Sequence, residues 1–245
     1  MPVIDPRERT LPVLPGILIG NMLPIIGILF YNMTFFAIMY VFWWETVFIS
    51  VFDFIKMGRA KRESQPDPNY TVNGKPLSHE QANSVVYMRS RYLVFRIFIL
   101  LFYLIFIIVF VGVMQTMQED PGAFGRALLL REPWVLYSLG AYLLVQIVQY
   151  WNWIQEGKDK ETSLQQLASP FSARLVIMHI VIVLGTFAAM YASDTLFPGS
   201  PHAASMGYAV LFVALKTLLD LLAWRNSSKR ATILSNALSR DKNNL

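Results

Sequence analysis

Lys216 and Asp220 stand four residues apart in the otherwise apolar run 206–224, and Glu45 sits near the middle of a second such run, 34–56. A spacing of four puts two side chains on one helix face, so Lys216 and Asp220 can pair within their run. Glu45 is then the natural second partner for Lys216. Carboxylates and amines enclosed in an apolar interior shift their pKa readily and can exchange protons near neutral pH, which makes proton or ion relay the chemistry on offer. A static network is the plainer alternative, because interhelical polar contacts contribute about 0.6 to 2 kcal/mol and hold helices in register. Either way, a charge at the centre of a membrane helix costs about 2.5 to 3.5 kcal/mol on insertion scales and so needs a partner, a cavity or water.

The elements that must position these groups have the length and character of membrane spans. The 245-residue chain is 55% hydrophobic and 15% charged, with a mean hydropathy of +0.43, too apolar for an ordinary soluble domain. About 20 helical residues cross a hydrocarbon core of roughly 30 Å. The windows 11–30, 34–56, 92–117, 134–155, 173–197 and 206–224 approach or exceed that length. They are continuous rather than alternating, which points to helices and not to barrel strands. The expected fold is therefore all-α: one polytopic domain over 1–245, with six transmembrane helices. The first window has no small-residue cleavage site after it and reads as a retained span.

One substantial loop, 58–91, joins the second and third spans. Its Pro66-Asp67-Pro68-Asn69 and Asn73-Gly74 with Pro76 are turn formers and predict a flexible stretch without regular structure. Ser78 followed by Gln81 forms a capping box, and no breaker separates it from Val85, Val86, Tyr92 and Val94, so one helix is expected to run from there into the third span. Residues 121–131 read as a short interfacial helix with Phe124, Leu128, Leu129 and Leu130 against lipid, or as a lid over a pocket.

Placing both termini in the cytoplasm puts every Lys and Arg on the inner side except Arg126, Arg131 and Lys216, out of 21, as the positive-inside rule requires. The net charge of +5 is then the mark of a basic rim facing anionic lipid and calls for no nucleic-acid partner. Counting inward from that rim, Asn21, Glu45, Gln146 and Lys216 lie about nine to eleven residues deep and form one layer. Asp53, Asp220, His179, Gln149 and Arg96 lie about three to six residues deep and form a second. Pro24 removes a backbone bond and is expected to kink the first helix beside Asn21. Gly16 with Gly20, and Gly185 with Ala189, are small-residue pairs that mark helix-packing faces. Trp43 and Trp44 adjoin Glu45 at mid-depth, away from the interfacial belt of Trp134, Trp151, Trp153 and Trp224; they wall the carboxylate or face lipid.

Catalytic constellations are missing from the sequence. It has no nucleophile elbow, no His-Glu-x-x-His and no Gly-rich phosphate loop. No cysteine is present, which removes disulfides and thiolate metal sites. His79, His179 and His202 are too scattered for a paired metal site, although His179 is the histidine within a span that a pigment or lipid-like cofactor would use. No metal or cofactor is expected.

Asn21-Met22-Leu23-Pro24 with Gly27, the aromatic Tyr40 to Trp44 leading into Glu45, Phe52-Asp53, and Lys216-Thr217-Leu218-Leu219-Asp220 resemble the DUF6498 family of prokaryotic integral membrane proteins of unknown function. Thr46 stands where the family pattern carries Asn. The resemblance implies a multi-pass protein of the prokaryotic inner membrane and supplies no activity. Two functions are then expected to compete. One is a non-catalytic membrane subunit or scaffold, whose partners are the bilayer and a second copy or a larger membrane complex. The other is a small proton- or ion-coupled transporter or channel using Glu45, Lys216 and Asp220.

Overall fold

The computed structural model describes residues 13–31, 33–64, 71–72, 75–116, 120–168, 207, 210, 212–218 and 221, with side chains from residue 21 onward except at 71–76 and 114–116. Among them the regular structure is helical apart from one short strand pair. Three helical stretches are long and apolar enough to cross a membrane: Phe35–Met57, Val85–Val113 and Pro121–Gln155. They fall on the second, third and fourth expected windows. Helix α1, Val13–Tyr31, covers the first. The fifth window lies outside the described residues, and the sixth is described only in part, where 212–218 are helical.

The chain forms two compact units, Met1–Met33 with Ile180–Leu245, and Thr34–His179. At the centre of the second is α2, Phe35–Met57, whose N-cap Thr34 accepts a hydrogen bond from the Ala37 N–H at 3.2 Å. Apolar and aromatic side chains occupy nearly every side of this helix, the pattern of one enclosed on all faces. Accordingly 67% of its central window is buried, against 22% for each of the other two stretches. Helix α4, Val85–Phe106, runs antiparallel to α2 and is fastened to it at three levels. The Trp43 indole donates to the Leu100 carbonyl at 2.8 Å, the Tyr92 hydroxyl to the Ser50 carbonyl at 3.4 Å, and the Arg89 guanidinium to the Phe54 carbonyl at 3.1 Å. Beyond α4 the chain continues as a π-helix, Ile107–Thr116. Helix α5, Pro121–Leu128, is capped by Asp120, and α6, Pro133–Gln155, runs parallel to α2. The outward faces of α4 and α6 carry exposed Val94, Phe98, Ile105, Tyr137, Leu144 and Trp151.

Arg89 closes the C-terminal end of α2. Its guanidinium lies 4.6 Å from the Phe54 ring centroid, and a Cβ on the C-cap Gly58 would stand 2.1 Å from one of its nitrogens. A cation at a helix C-terminus also meets the negative end of the helix dipole. Gly58→Ala is expected to push this guanidinium away and Arg89→Ala to remove it, each lowering unfolding stability by about 1 to 2 kcal/mol in equilibrium denaturation. If the two losses add fully in the double variant, glycine and arginine are acting independently and this account of the latch is wrong.

The segment 58–91 departs from the flexible loop read from its turn formers. Thr71–Val72 pairs antiparallel with Lys75–Pro76. The Ser78–Gln81 capping box forms as expected, but it starts only a short helix, α3, His79–Asn83. Ser84 is extended, with φ −77° and ψ 110°, and its hydroxyl accepts from the Tyr87 N–H at 3.3 Å, restarting the chain as α4. The continuous helix expected from Ser78 is therefore broken: a serine offers the backbone its own hydrogen bond, and no rule of periodicity registers that.

Packing against 58–91 is the segment after α6, with short helices α7, Lys158–Glu161, and α8, Leu164–Leu167. The Lys61 and Arg62 N–H groups donate to the carbonyls of Asp159 (2.8 Å) and Thr162 (3.3 Å). Asn83 grips the buried Ser64 on both sides, accepting from its N–H at 2.7 Å and donating to its carbonyl at 3.2 Å. Beneath lie Met57, Leu77, Ala82, Met88, Tyr92, Leu164 and Ala168. Removing the amide by Asn83→Ala leaves a buried N–H without an acceptor, a loss of about 1 to 3 kcal/mol. Tryptic cleavage at Lys61 and Arg62 should accelerate by about tenfold, because cleavage follows the population of the locally opened state. An unchanged digestion pattern would show that the apolar cluster alone holds the segment.

Candidate functional site

The fastenings between α2 and α4 determine which polar side chains share a level. With Trp43 tied to Leu100 and Ser50 tied to Tyr92 in an antiparallel pair, Arg96 comes opposite Thr46. On the other side, Phe42 meets Tyr142 and Phe52 meets Tyr150, with ring centroids 6.1 and 5.7 Å apart. These parallel contacts bring Gln146 to the same level. Glu45 shares the α2 stripe of Phe42 and Phe52, and Gln146 the α6 stripe of Tyr142 and Tyr150, by helical spacing. Glu45, Arg96 and Gln146 are all enclosed, at 4, 5 and 5% exposure. The hydroxyls nearby are tied to their own helix: Thr46 donates to the Phe42 carbonyl at 3.1 Å and Ser50 to the Thr46 carbonyl at 2.7 Å.

Arg96 is the residue that depth counting misplaced. It was expected in the shallower layer with Asp53 and lies instead at the level of Glu45. Its level is set by the fastening of α4 to α2 at Trp43–Leu100 and Ser50–Tyr92, and not by where the apolar run begins at 92. Asp53 pairs along α2 with Lys56 at 3.5 Å, three residues on.

In the first unit, two residues expected in one layer meet. The Lys216 ammonium nitrogen donates to the Asn21 side-chain oxygen at 2.8 Å, with the residues 5 and 2% exposed. The contact spans 195 positions of sequence. Helix α1 contains Pro24 in its interior and is followed by the Met33 N–H donating to the Gly27 carbonyl at 3.0 Å. A Cβ on Gly27 would fall 2.7 Å from the Met33 sulfur. Gly16 and Gly20 lie in α1, where the backbone alone is described, whereas Asp220, His179, Gly185 and Ala189 lie outside the described residues.

A further contact had no signal in the sequence. In the π-helix, Gly112 faces the Phe124 ring so closely that a Cβ would stand 2.3 Å from it and 3.1 Å from Phe36. Phe36 and Phe124 meet edge-to-face with centroids 4.8 Å apart. Phe124 therefore turns inward from α5, against the expectation that it faces lipid, because the missing side chain at Gly112 leaves room for its ring. Leu129, one residue beyond α5, is exposed as expected. Trp43 and Trp44 pack edge-to-face at 5.1 Å, and the Trp43 bond to Leu100 makes that indole an interhelical fastening.

Among the described residues no group of three or more His, Cys, Asp or Glu is placed to hold a metal ion. A model for a family of unknown function, DUF6498, matches residues 4–236. The chain belongs to that family. The match takes in every DUF6498-like segment named above, from Asn21 to Asp220. Comparisons with curated proteins and with solved structures gave no match.

Proposed function

We propose that this DUF6498 member is a non-catalytic, multi-pass subunit or scaffold of the prokaryotic inner membrane, packing with itself or with a larger membrane complex. In this reading six helices cross as one domain, both termini are cytoplasmic, and Glu45, Lys216 and Asp220 form a static polar network helped by Asn21 and Gln146. The observation that carries it is how α2 is held. Trp43, Tyr92 and Arg89 fasten α2 and α4 through main-chain carbonyls at three levels, and aromatic pairs hold α6 at two more. Such fastenings favour a fixed core over helices that rock to expose a site, and the apolar outward faces of α4 and α6 suit lipid or a neighbouring span.

The second reading, a small proton- or ion-coupled transporter, draws on the buried Lys216–Asn21 bond and the buried Glu45. Reconstitution into vesicles containing a pH-sensitive dye separates the two. The scaffold reading expects no flux above empty vesicles, together with a stable assembly larger than one chain in mild detergent. Proton flux that Glu45→Gln abolishes would put transport in its place.

A further inference from the structure

We propose that Arg96 is the binding residue for a small monovalent anion enclosed in the second unit. Arg96 stands on the inward stripe of α4 with Met88, Tyr92 and Tyr103, and it is the charged member of that otherwise uncharged set. The Tyr92 ring lies 5.1 Å from its guanidinium carbon, and its Nε is buried without a hydrogen-bond partner. Among the described residues the ion pairs are Lys56–Asp53, Lys61–Asp159, His79–Glu63, Arg126–Asp120 and Lys158–Glu156, and none involves Arg96. Glu45 shares its level yet stays beyond ion-pair distance, and Asp53 is engaged by Lys56.

A guanidinium is always protonated and presents a planar fork of N–H donors. Buried without a counter-charge it is strongly unfavourable, and a ring face offsets only a part, about 2 kcal/mol when desolvated. One positive charge in an enclosed place calls for one negative charge of small size, and the Nε–H supplies a directed donor for it. This inference rests on the enclosure of Arg96 and goes beyond the scaffold reading, since an anion can complete a static core as readily as a moving one.

The test uses the full chain in lipid nanodiscs, with chloride replacing gluconate at constant ionic strength. The melting temperature of the wild type should rise with the logarithm of chloride concentration, as for any ligand bound by the folded state alone. Arg96→Met, similar in bulk and uncharged, should lose that response and melt no lower than the wild type in gluconate. Arg96→Lys keeps the charge without the fork and should need about tenfold more chloride for the same rise. A wild type indifferent to chloride overturns the proposal, and so does an equal response in either variant. Arg96 would then be a structural cation held by the Tyr92 ring.

Discussion

Replacing Phe36 by alanine will lower the unfolding free energy by about 3 to 5 kcal/mol, the cost of emptying a fully buried aromatic site. Phe36 is 0% exposed and stacks on Tyr40 at 5.6 Å as well as meeting Phe124 edge-on. Its neighbourhood cannot collapse easily, since the Phe124 ring already fills the space that Gly112 leaves. Phe124→Ala should cost less, because that side chain is only half-buried. The double variant should recover about 0.5 to 1.5 kcal/mol relative to the sum, the coupling typical of an aromatic pair. Equilibrium denaturation of the purified chain and its variants provides the measurement. Strict additivity would mean that the two rings do not support each other.

Asn21→Leu should cost about 1.5 to 3 kcal/mol, the range for a hydrogen bond to a charged group whose partner stays buried. The Lys216 ammonium keeps its other surroundings and loses the oxygen at 2.8 Å. Asn21→Asp retains an oxygen there and should be tolerated better than Asn21→Leu. Combining Asn21→Leu with Lys216→Met replaces the buried polar pair by apolar groups of similar size, and stability should return to within about 1 kcal/mol of the wild type. The same variants carry information on function: a scaffold should tolerate the apolar pair and assemble normally, whereas a proton relay through Lys216 would be silenced by it. If Asn21→Leu unfolds no more easily than the wild type, the bond is incidental to the first unit.

Residue composition and periodicity determined much of this by themselves. Long apolar runs cannot leave backbone polar groups unpaired in a nonpolar medium, so the expectation of helices over 34–56, 92–117 and 134–155 followed from Phe, Ile, Leu and Val content and run length. The capping box at Ser78 was legible because its two partners lie three residues apart, and so was membership of the family, carried by motifs around Asn21, Glu45 and Lys216. Asn21 and Lys216 could be placed in one layer across 195 positions, though not paired, because each stands a countable distance from the end of a run that composition makes visible.

Tertiary structure alone decided what depends on contacts between runs. Arg96 could not be assigned its level from the sequence, since that level is set where α4 is fastened to Ser50 and Leu100, and not where apolar residues begin. The break at Ser84, the grip of Asn83 on Ser64 and the packing of 58–91 against 156–168 join residues far apart in sequence through single hydrogen bonds that leave no periodic trace. Gly112 shows the limit most directly. A glycine in an apolar run reads only as a small residue, and its use as the seat of the Phe124 ring exists once a π-helix, α2 and α5 have been brought together.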